Sequence, residues 1–210
     1  MRDAIALQLG RELAQLDLVL SLDQQADLVT YIELMCRWNR AYNLTAVRDP
    51  IAMVTRHLSD SLAIASLIPV ATVLDVGTGP GLPGIPLAIA LPSQNFHLLD
   101  ANGKKTRFLF QVKNQLRLAN IEIKETRVEN FQVEQGYDCV VSRAFASLDL
   151  MVKSCRHLLS KQGRIFAMKS ASVHTELEEI ADVAELIALK EIKVPGLEET
   201  RYVVELAVRG

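Results

Sequence analysis

The spacing of hydrophobic and polar positions changes once along the chain, near residue 68. Before that point, apolar residues recur at intervals of three and four, as in Leu28, Ile32 and Met35. This is the period of an amphipathic helix. Beyond it, short apolar runs alternate with longer amphipathic segments. We therefore predict a helical N-terminal extension, helical throughout residues 1–68, and a second domain over residues 69–210.

The second domain is predicted to contain seven strands and four helices. The strands are expected near 72–76, 95–100, 120–124, 137–142, 163–168, 186–193 and 201–208, and the helices near 84–91, 103–118, 147–159 and 173–184. Such alternation indicates a largely parallel sheet with right-handed crossovers. Only residues 195–199 separate the last two strands. That connection is too short for a helical crossover, so it predicts an antiparallel pair.

A dense glycine cluster follows the first predicted strand. Residues 73–84 contain four of the ten glycines of the chain, in two overlapping patterns. Gly79 opens a G-x-G-x-x-G pattern, typical of dinucleotide sites. Asp75 opens an acid-x-G-x-G-x-G pattern, typical of class I S-adenosylmethionine-dependent methyltransferases. A tight turn without a ligand is the third interpretation.

The acid at the entrance of this loop favours the methyltransferase interpretation. A carboxylate disfavours a bound pyrophosphate, whereas it can hold an ammonium group directly or through water. A seven-stranded sheet that ends in an antiparallel hairpin is also the methyltransferase variant of the doubly wound sheet. We therefore predict an α/β, Rossmann-like class I methyltransferase fold.

Asp100 is the second candidate for cofactor binding. It ends the second predicted strand, at the sheet edge where open α/β sheets bind ligands. A carboxylate there can accept hydrogen bonds from two ribose hydroxyls, in a dinucleotide enzyme as well as in a methyltransferase. Asp100 can also simply cap the next helix.

Composition and cysteine spacing exclude several classes of protein. Half of the 210 residues are hydrophobic, enough for a sizeable core. Proline or aspartate interrupts every apolar stretch before the ~20 residues that a bilayer requires. Cys36, Cys139 and Cys155 are far apart and form no C-x-x-C pair, so neither a disulfide framework nor a zinc site is indicated. With no signal-peptide layout at the N-terminus, we expect a cytoplasmic protein without metal or membrane partner.

The net charge of −2 conceals a strongly basic segment. Residues 101–170 contain thirteen basic and six acidic residues, whereas residues 171–210 contain four basic and nine acidic ones. Lys104, Lys105 and Arg107 cluster in the first turn of a predicted helix, where the helix dipole favours acids. They form either a solvated helical face or a rim that contacts phosphates.

Arg143 leaves the carboxyl end of the predicted central strand. In methyltransferases this position borders the methyl group and the incoming substrate. The segment 142–145 has the sequence SRAF, without the D/N-P-P-Y pattern that grips exocyclic amines. The chain also has no cysteine in a Pro-Cys context, so methylation of pyrimidine C5 is disfavoured.

Four segments together resemble the ribosomal RNA small subunit methyltransferase G family, also called glucose-inhibited division protein B. They are residues 38–45 (WNRAYNLT), 56–61 (RHLSDS), 75–86 (DVGTGPGLPGIP) and 142–147 (SRAFAS). The resemblance covers nearly the whole chain in order. It implies methyl transfer from S-adenosylmethionine to N7 of one guanine in 16S ribosomal RNA, near the decoding centre. It departs from the family at Lys105, where arginine is common, and at Ser170, where glycine is expected.

The resemblance also implies a set of site residues. The family positions for the cofactor correspond to Gly77, Leu82, Val128, Glu129 and Arg143. The glycine-loop pattern adds Asp75 and Gly79, and the general methyltransferase pattern adds Asp100. The residues expected to hold the RNA backbone are Lys104, Lys105, Arg127 and Lys169.

The proposed chemistry needs no general base, since guanine N7 has a lone pair and no proton to remove. The site must supply alignment, which can be worth several kcal/mol. Arg143 is the best candidate for orienting the guanine, through O6 or a neighbouring phosphate. Phe145 is a candidate stacking face, whereas Trp38 and Tyr42 are expected rather in the core.

Three other functions remain open from the residues alone. A NAD-dependent oxidoreductase shares the glycine loop and Asp100. Methylation of a small molecule or protein is the second alternative, and a non-catalytic RNA-binding module is the third. The favoured interpretation implies a monomer whose partner is 16S ribosomal RNA, within the small subunit or an assembly intermediate.

Overall fold

The N-terminal part is made of short helices that pack around one long one. The structure, a computed structural model, describes residues 1–143, 145 and 147–209; Ala144 and Ala146 of the 142–147 motif, and Gly210, lie outside the described residues. The elements in this part are α1 (Arg2–Leu13), α2 (Leu22–Tyr42), α3 (Pro50–Met53), a π-helical segment (Val54–Ser59), α4 (Asp60–Leu62) and a 3-10 turn (Ala65–Leu67).

The prediction of a helix throughout residues 1–68 is wrong at two places. The chain leaves the helical conformation over residues 14–21 and 43–49. Asn43 ends α2 with a positive φ angle of 51°, and Asp17, with the same φ angle, lies in the turn after α1. A capping box then restarts the chain as α2, because Ser21 accepts from Gln24 N–H and the Gln24 side chain accepts from Ser21 N–H.

Seven strands form one mixed sheet in the order β3-β2-β1-β4-β5-β7-β6. Their bounds are β1 (Thr72–Val76), β2 (Asn95–Asp100), β3 (Ile121–Glu125), β4 (Tyr137–Arg143), β5 (Leu159–Lys169), β6 (Ala184–Ile192) and β7 (Arg201–Val208). β1 to β5 pair in parallel, whereas β7 runs antiparallel between β5 and β6. The predicted α/β sheet with a terminal antiparallel hairpin is confirmed.

The connecting helices are α5 (Gly84–Ala90), α6 (Gly103–Leu116), α7 (Leu148–Cys155) and α8 (Val173–Glu179). Two predicted boundaries are wrong. β5 begins at Leu159, which pairs with Tyr137, so the predicted helix over 147–159 ends earlier. The predicted helix over 173–184 also stops early, because Ala184 pairs with Val208 as the start of β6.

A hydrophobic core lies on each face of the sheet. The first joins the N-terminal helices to the sheet, with Leu28 and Ile32 of α2 in the same buried cluster as Phe96 of β2 and Phe108 of α6. The second lies under α7 and α8. The N-terminal helices therefore pack on the face of the sheet that also holds α5 and α6.

Among the described residues, no helix combines the length and apolar character that crossing a membrane requires.

Gly84 can be tested as a tight packing point. A Cβ added there would lie 2.3 Å from Leu98 Cδ2 and 2.7 Å from Asp75 Oδ2. Gly84→Ala should therefore lower the free energy of unfolding by about 1–3 kcal/mol. Gly10→Ala is the control, since Gly10 lies in α1 with nothing near its Cβ position, and alanine there should stabilise by about 0.5–1 kcal/mol. Urea unfolding measures the free energy of unfolding of both variants. An equal change at the two positions would show that Gly84 is not a tight packing point.

Candidate active site

The glycine loop leaves β1 in a conformation that requires glycine. Gly77, Gly79 and Gly81 have φ angles of +67°, +62° and +101°, a region that L side chains rarely adopt. Gly77 is exposed and nothing lies within 4 Å of its Cβ position. At Gly81, by contrast, a Cβ would lie 2.3 Å from Ile85. The loop is therefore open on one side and tightly packed on the other.

Asp75 is fully buried beneath this loop. Its Oδ2 accepts hydrogen bonds from Thr78 Oγ1 at 2.6 Å and from Gly84 N–H at 2.8 Å. No described residue hydrogen-bonds its Oδ1. Burial raises the pKa of the Asp75 carboxyl to about 7, although these two hydrogen bonds and the charge of Arg143 oppose the shift. The carboxylate thus ties the loop to the first residue of α5.

Asp100 holds the same loop from β2. Its Oδ2 accepts from Gly79 N–H at 2.9 Å, and its Oδ1 accepts from Asn102 N–H at 2.8 Å. Lys105 Nζ lies 3.7 Å from Oδ2. The alternative role as cap of the next helix falls instead to Asn102, whose side chain accepts from Lys104 N–H. Asp100 therefore faces the loop and a cavity beside it.

This first cavity has a volume of about 250 Å³ and lies at the carboxyl ends of β1 and β2. It brings together five predicted cofactor or RNA residues that are distant in sequence. It is lined by Val76, Gly77, Leu99, Asp100, Ala101, Thr126, Arg127, Val128, Glu129 and Phe145. Leu82 is not among them: its side chain is buried, and its N–H bonds to Thr78 O within the loop. We call this space the loop cavity.

A second cavity of about 330 Å³ lies at the carboxyl ends of β4 and β5. It shares Phe145 with the loop cavity, so the two spaces are adjacent. Its lining is rich in paired charges: Asp60, Arg143, Phe145, Met168, Lys169, Ser170, Ser172, Glu176 and Arg201. We call it the charged cavity.

Arg143 enters the charged cavity from the end of β4. Its Nη1 donates to Arg56 O at 2.8 Å and to Asp60 Oδ2 at 3.0 Å. His57 lies nearby with its Nε2 2.9 Å from Thr45 Oγ1. Burial, followed by the charge of Arg143, lowers the pKa of His57 to about 4. The imidazole is therefore neutral near pH 7.

The predicted RNA-binding cations have different surroundings. Lys104 and Arg127 are exposed. Lys105 is half-buried and points toward Asp100. Lys169 is buried, with its Nζ 2.7 Å from Glu176 Oε2 and 3.2 Å from Phe145 O. Their contact with RNA stays a prediction for all four.

The long helix α2 supports the glycine loop and packs against α6. Tyr31 of α2 is fully buried and its hydroxyl donates to Pro80 O of the glycine loop at 2.8 Å. Trp38 packs between Tyr42 and Phe108, with ring centroids 5.1 Å and 5.6 Å away. Trp38 is partly buried against the core, as expected, whereas Tyr42 is 42% exposed.

Comparison with known proteins identifies the family. The family model described as GidB, rRNA small subunit methyltransferase G, matches residues 24–204. The chain belongs to the rRNA small subunit methyltransferase G family. The methyltransferase interpretation of the glycine loop is confirmed, and the oxidoreductase alternative is set aside. Membership also confirms the resemblance carried by the four sequence segments.

Curated relatives in this family match almost the full chain. A protein named ribosomal RNA small subunit methyltransferase G from Photobacterium profundum is 44% identical over 197 residues, which are 94% of this chain and 96% of that protein. Another of the same name from Saccharophagus degradans is 46% identical over 207 residues, 99% of this chain and 93% of that protein.

Solved structures resemble the fold at low sequence identity. A SAM-dependent methyltransferase from Aquifex aeolicus superposes with a TM-score of 0.59 at 14% identity, covering 78% of this chain and 96% of that one. A TehB-like SAM-dependent methyltransferase from Corynebacterium glutamicum gives 0.54 at 16% identity, covering 86% and 98%. At this identity the likeness shows the fold alone, and it confirms the class I prediction.

Three charged residues of the charged cavity were not predicted from the sequence. Asp60 lies in the 56–61 segment of the family resemblance, which was the available signal for it. Glu176 accepts from Leu148 N–H at 2.7 Å and pairs with Lys169. Arg201 reaches Asp60 from β7. For Glu176 and Arg201 no sequence pattern indicated a role in the site.

The raised pKa of Asp75 predicts a pH dependence of stability. In the unfolded chain this carboxyl ionises near its ordinary pKa of 3.8, whereas in the folded protein it ionises near 7. Between these values the folded state binds more protons, so the contribution is present below pH 3.8 and is lost as the pH rises through about 7. The stability of the wild type relative to Asp75→Asn should therefore fall between pH 5 and pH 8.

Urea unfolding of both proteins at the two pH values measures this difference. Asp3→Asn, at an exposed position of α1, controls for the change in net charge. A difference between wild type and Asp75→Asn that does not vary with pH would show that Asp75 ionises normally.

Proposed function

We propose that this chain transfers the methyl group of S-adenosylmethionine to N7 of one guanine in 16S ribosomal RNA. The observation that supports it is the pair of adjacent cavities, the loop cavity and the charged cavity, which meet at Phe145. One has the features of a nucleoside site and the other those of an anion-binding site, in a chain of the rRNA small subunit methyltransferase G family. The methyl donor in the loop cavity and the guanine in the charged cavity can thus meet at Phe145.

The residues of the loop cavity fit S-adenosylmethionine. Gly77 leaves open space for the amino acid end. Each oxygen of Asp100 accepts one backbone N–H, and a carboxylate oxygen has lone pairs left for ribose hydroxyls. Val128 and Glu129 line the same cavity and would contact the adenine. When bound, the cofactor supplies an electrophilic methyl group.

Asp75 acts on the cofactor through the glycine loop. It is fully buried and hydrogen-bonds the loop at Thr78 and Gly84. An ammonium group above the loop would be attracted by its negative form. Since burial raises the pKa of Asp75 to about 7, bound ammonium would favour loss of that proton. The loop residues Gly79 and Leu82 then shape the cavity through their backbone.

The acceptor side requires orientation rather than proton transfer. Guanine N7 has no proton, so no base is needed. His57 is buried and held by Thr45, and Asp75 lies under the loop, so neither is assigned a role toward the guanine. Arg143 stands at the cavity with one guanidinium nitrogen fixed by Arg56 O and Asp60. Its fixed position can align the base with the methyl group.

The basic residues outside the cavities would hold the RNA backbone. Arg127 is exposed and lines the loop cavity, Lys105 lies 3.7 Å from Asp100 of that cavity, and Lys104 is exposed at the preceding position. Lys169 would act from inside the charged cavity. Phosphate contacts of this kind position an RNA without reading its sequence. We further propose that the substrate is the small ribosomal subunit or an assembly intermediate, met in the cytoplasm by a monomer.

Methyl incorporation is the direct test. Purified protein and radiolabelled S-adenosylmethionine are mixed with small ribosomal subunits from cells that lack this methylation, with naked RNA in parallel. Label should appear in 16S RNA and be released as 7-methylguanosine by nuclease digestion. Cofactor binding without label in RNA would contradict the proposal and point to a small-molecule or protein acceptor.

Arg143→Ala should abolish this incorporation, because the guanidinium that orients the substrate is removed. The matched control is Arg164→Ala: Arg164 is half-buried in β5, and its Nη1 donates to Gln162 O and Gly163 O, before the strand reaches the cavity. Thermal unfolding of both variants checks that they fold. Wild-type turnover by Arg143→Ala would rule out its assignment.

A further inference from the structure

Two arginines from different strands meet at one buried carboxylate in the charged cavity. The Asp60 side chain is 4% exposed. Its Oδ2 accepts from Arg143 Nη1 at 3.0 Å, and its Oδ1 accepts from Arg201 Nε at 3.2 Å. Arg143 ends β4 and Arg201 begins β7, with β5 between them. One acid therefore holds two cations that approach from opposite sides of a strand.

The π-helical segment before Asp60 adds a second acceptor for Arg143. The Asp60 N–H bonds to Thr55 O and His57 O, so it does not use Arg56 O, its partner in a regular α-helix. Arg56 O instead accepts from Arg143 Nη1 at 2.8 Å. π-helical turns inside helices are often found at functional sites. Here the π-helical turn leaves the carbonyl of Arg56 available to Arg143.

The charges around the two arginines leave an excess of positive charge. Asp60 neutralises one of them, and the second partner of Arg201, Glu199, is 62% exposed, so solvent screens that pair. Lys169 and Glu176 form a separate pair in the same cavity. His57, which packs nearby, is neutral near pH 7 because burial lowers its pKa to about 4.

Each arginine also keeps donors for a ligand. Within the described part of the chain, the hydrogen bonds of Arg143 use Nη1 alone, and those of Arg201 use Nε and Nη1. Nη2 is thus left on both side chains, and both side chains line the charged cavity. Two planar guanidinium groups with net positive charge suit a phosphate.

We propose that Arg201 binds a phosphate of the RNA substrate together with Arg143, and that Asp60 is the positioning residue that holds both arginines for methyl transfer. This inference rests on the proposed function for its substrate. Asp60 stays behind the arginines and does not touch the reacting atoms. The guanidinium groups thus place the nucleotide, and the carboxylate fixes where they stand.

Asp60→Asn tests the positioning role. Asparagine keeps the shape of the side chain but replaces one acceptor oxygen with a donor, so one arginine loses its partner. The single-turnover rate at saturating cofactor and saturating small subunits should fall about tenfold to a hundredfold. The dissociation constant of S-adenosylhomocysteine, measured by calorimetry, should stay within about twofold, because Asp60 lines only the charged cavity.

Arg201→Met tests the phosphate contact. It removes a charge from a partly exposed side chain, so the fold should tolerate it. The affinity for small subunits, measured by filter binding at several salt concentrations, should fall, and the slope of log Kd against log salt should decrease by about one. Arg164→Met is the control of equal size and charge change, expected to bind and turn over like the wild type.

The outcomes separate the possibilities. A wild-type single-turnover rate in Asp60→Asn would overturn the positioning role, as would a loss of rate that only accompanies lower cofactor affinity and melting temperature. An unchanged salt slope in Arg201→Met would overturn the phosphate contact. If the wild type binds subunits with the expected Arg201 dependence but transfers no methyl group, the phosphate contact stands and the proposed function fails.

Discussion

A carboxylate that lies entirely out of water shapes the whole cofactor side of the molecule. One oxygen of Asp75 accepts from both Thr78 and Gly84, so the loop from β1 is pinned to the start of α5. Asp100 holds Gly79 from the neighbouring strand. Burying a charge is costly unless hydrogen bonds compensate; the two that the loop supplies offset part of this cost, and the pKa of Asp75 is still raised to about 7. The two acids thus fix the loop from β1 and from β2, beside the loop cavity.

The N-terminal helices act on the other side of the site. Glu12 of α1 is buried, and its carboxylate accepts from Gln8, Thr55 and Ser59. Thr55 and Ser59 belong to the π-helical segment, so an acid eleven residues into the first helix keeps that segment in place. Through Arg56 O and Asp60, the segment in turn holds Arg143. The helical extension is thus part of the site as well as of the core.

Sequence patterns were sufficient where the signal is local. The apolar run before the glycines, the polar residue at the end of β2 and the short connection before β7 predict the loop, Asp100 and the antiparallel pair. Sequence could not predict the contact of Asp60 with Arg201, which spans 141 positions and depends on β7 lying next to β5. The π-helical segment was also missed, since its apolar spacing resembles that of an α-helix. The sequence also could not show that the side chain of Leu82 lies in the core; its role at the cofactor stays a prediction.

The position of β7 inside the sheet has a consequence for the order in which the protein can fold as it is synthesised. β6 emerges before β7 yet has no partner until β7 fills the gap between it and β5. Until then the edges of both strands have unpaired backbone groups, and such edges are prone to aggregation. Since β7 also delivers Arg201 to the charged cavity, a chain interrupted before this strand lacks both its sheet closure and part of its site. The last strand to be synthesised therefore completes both the sheet and the charged cavity.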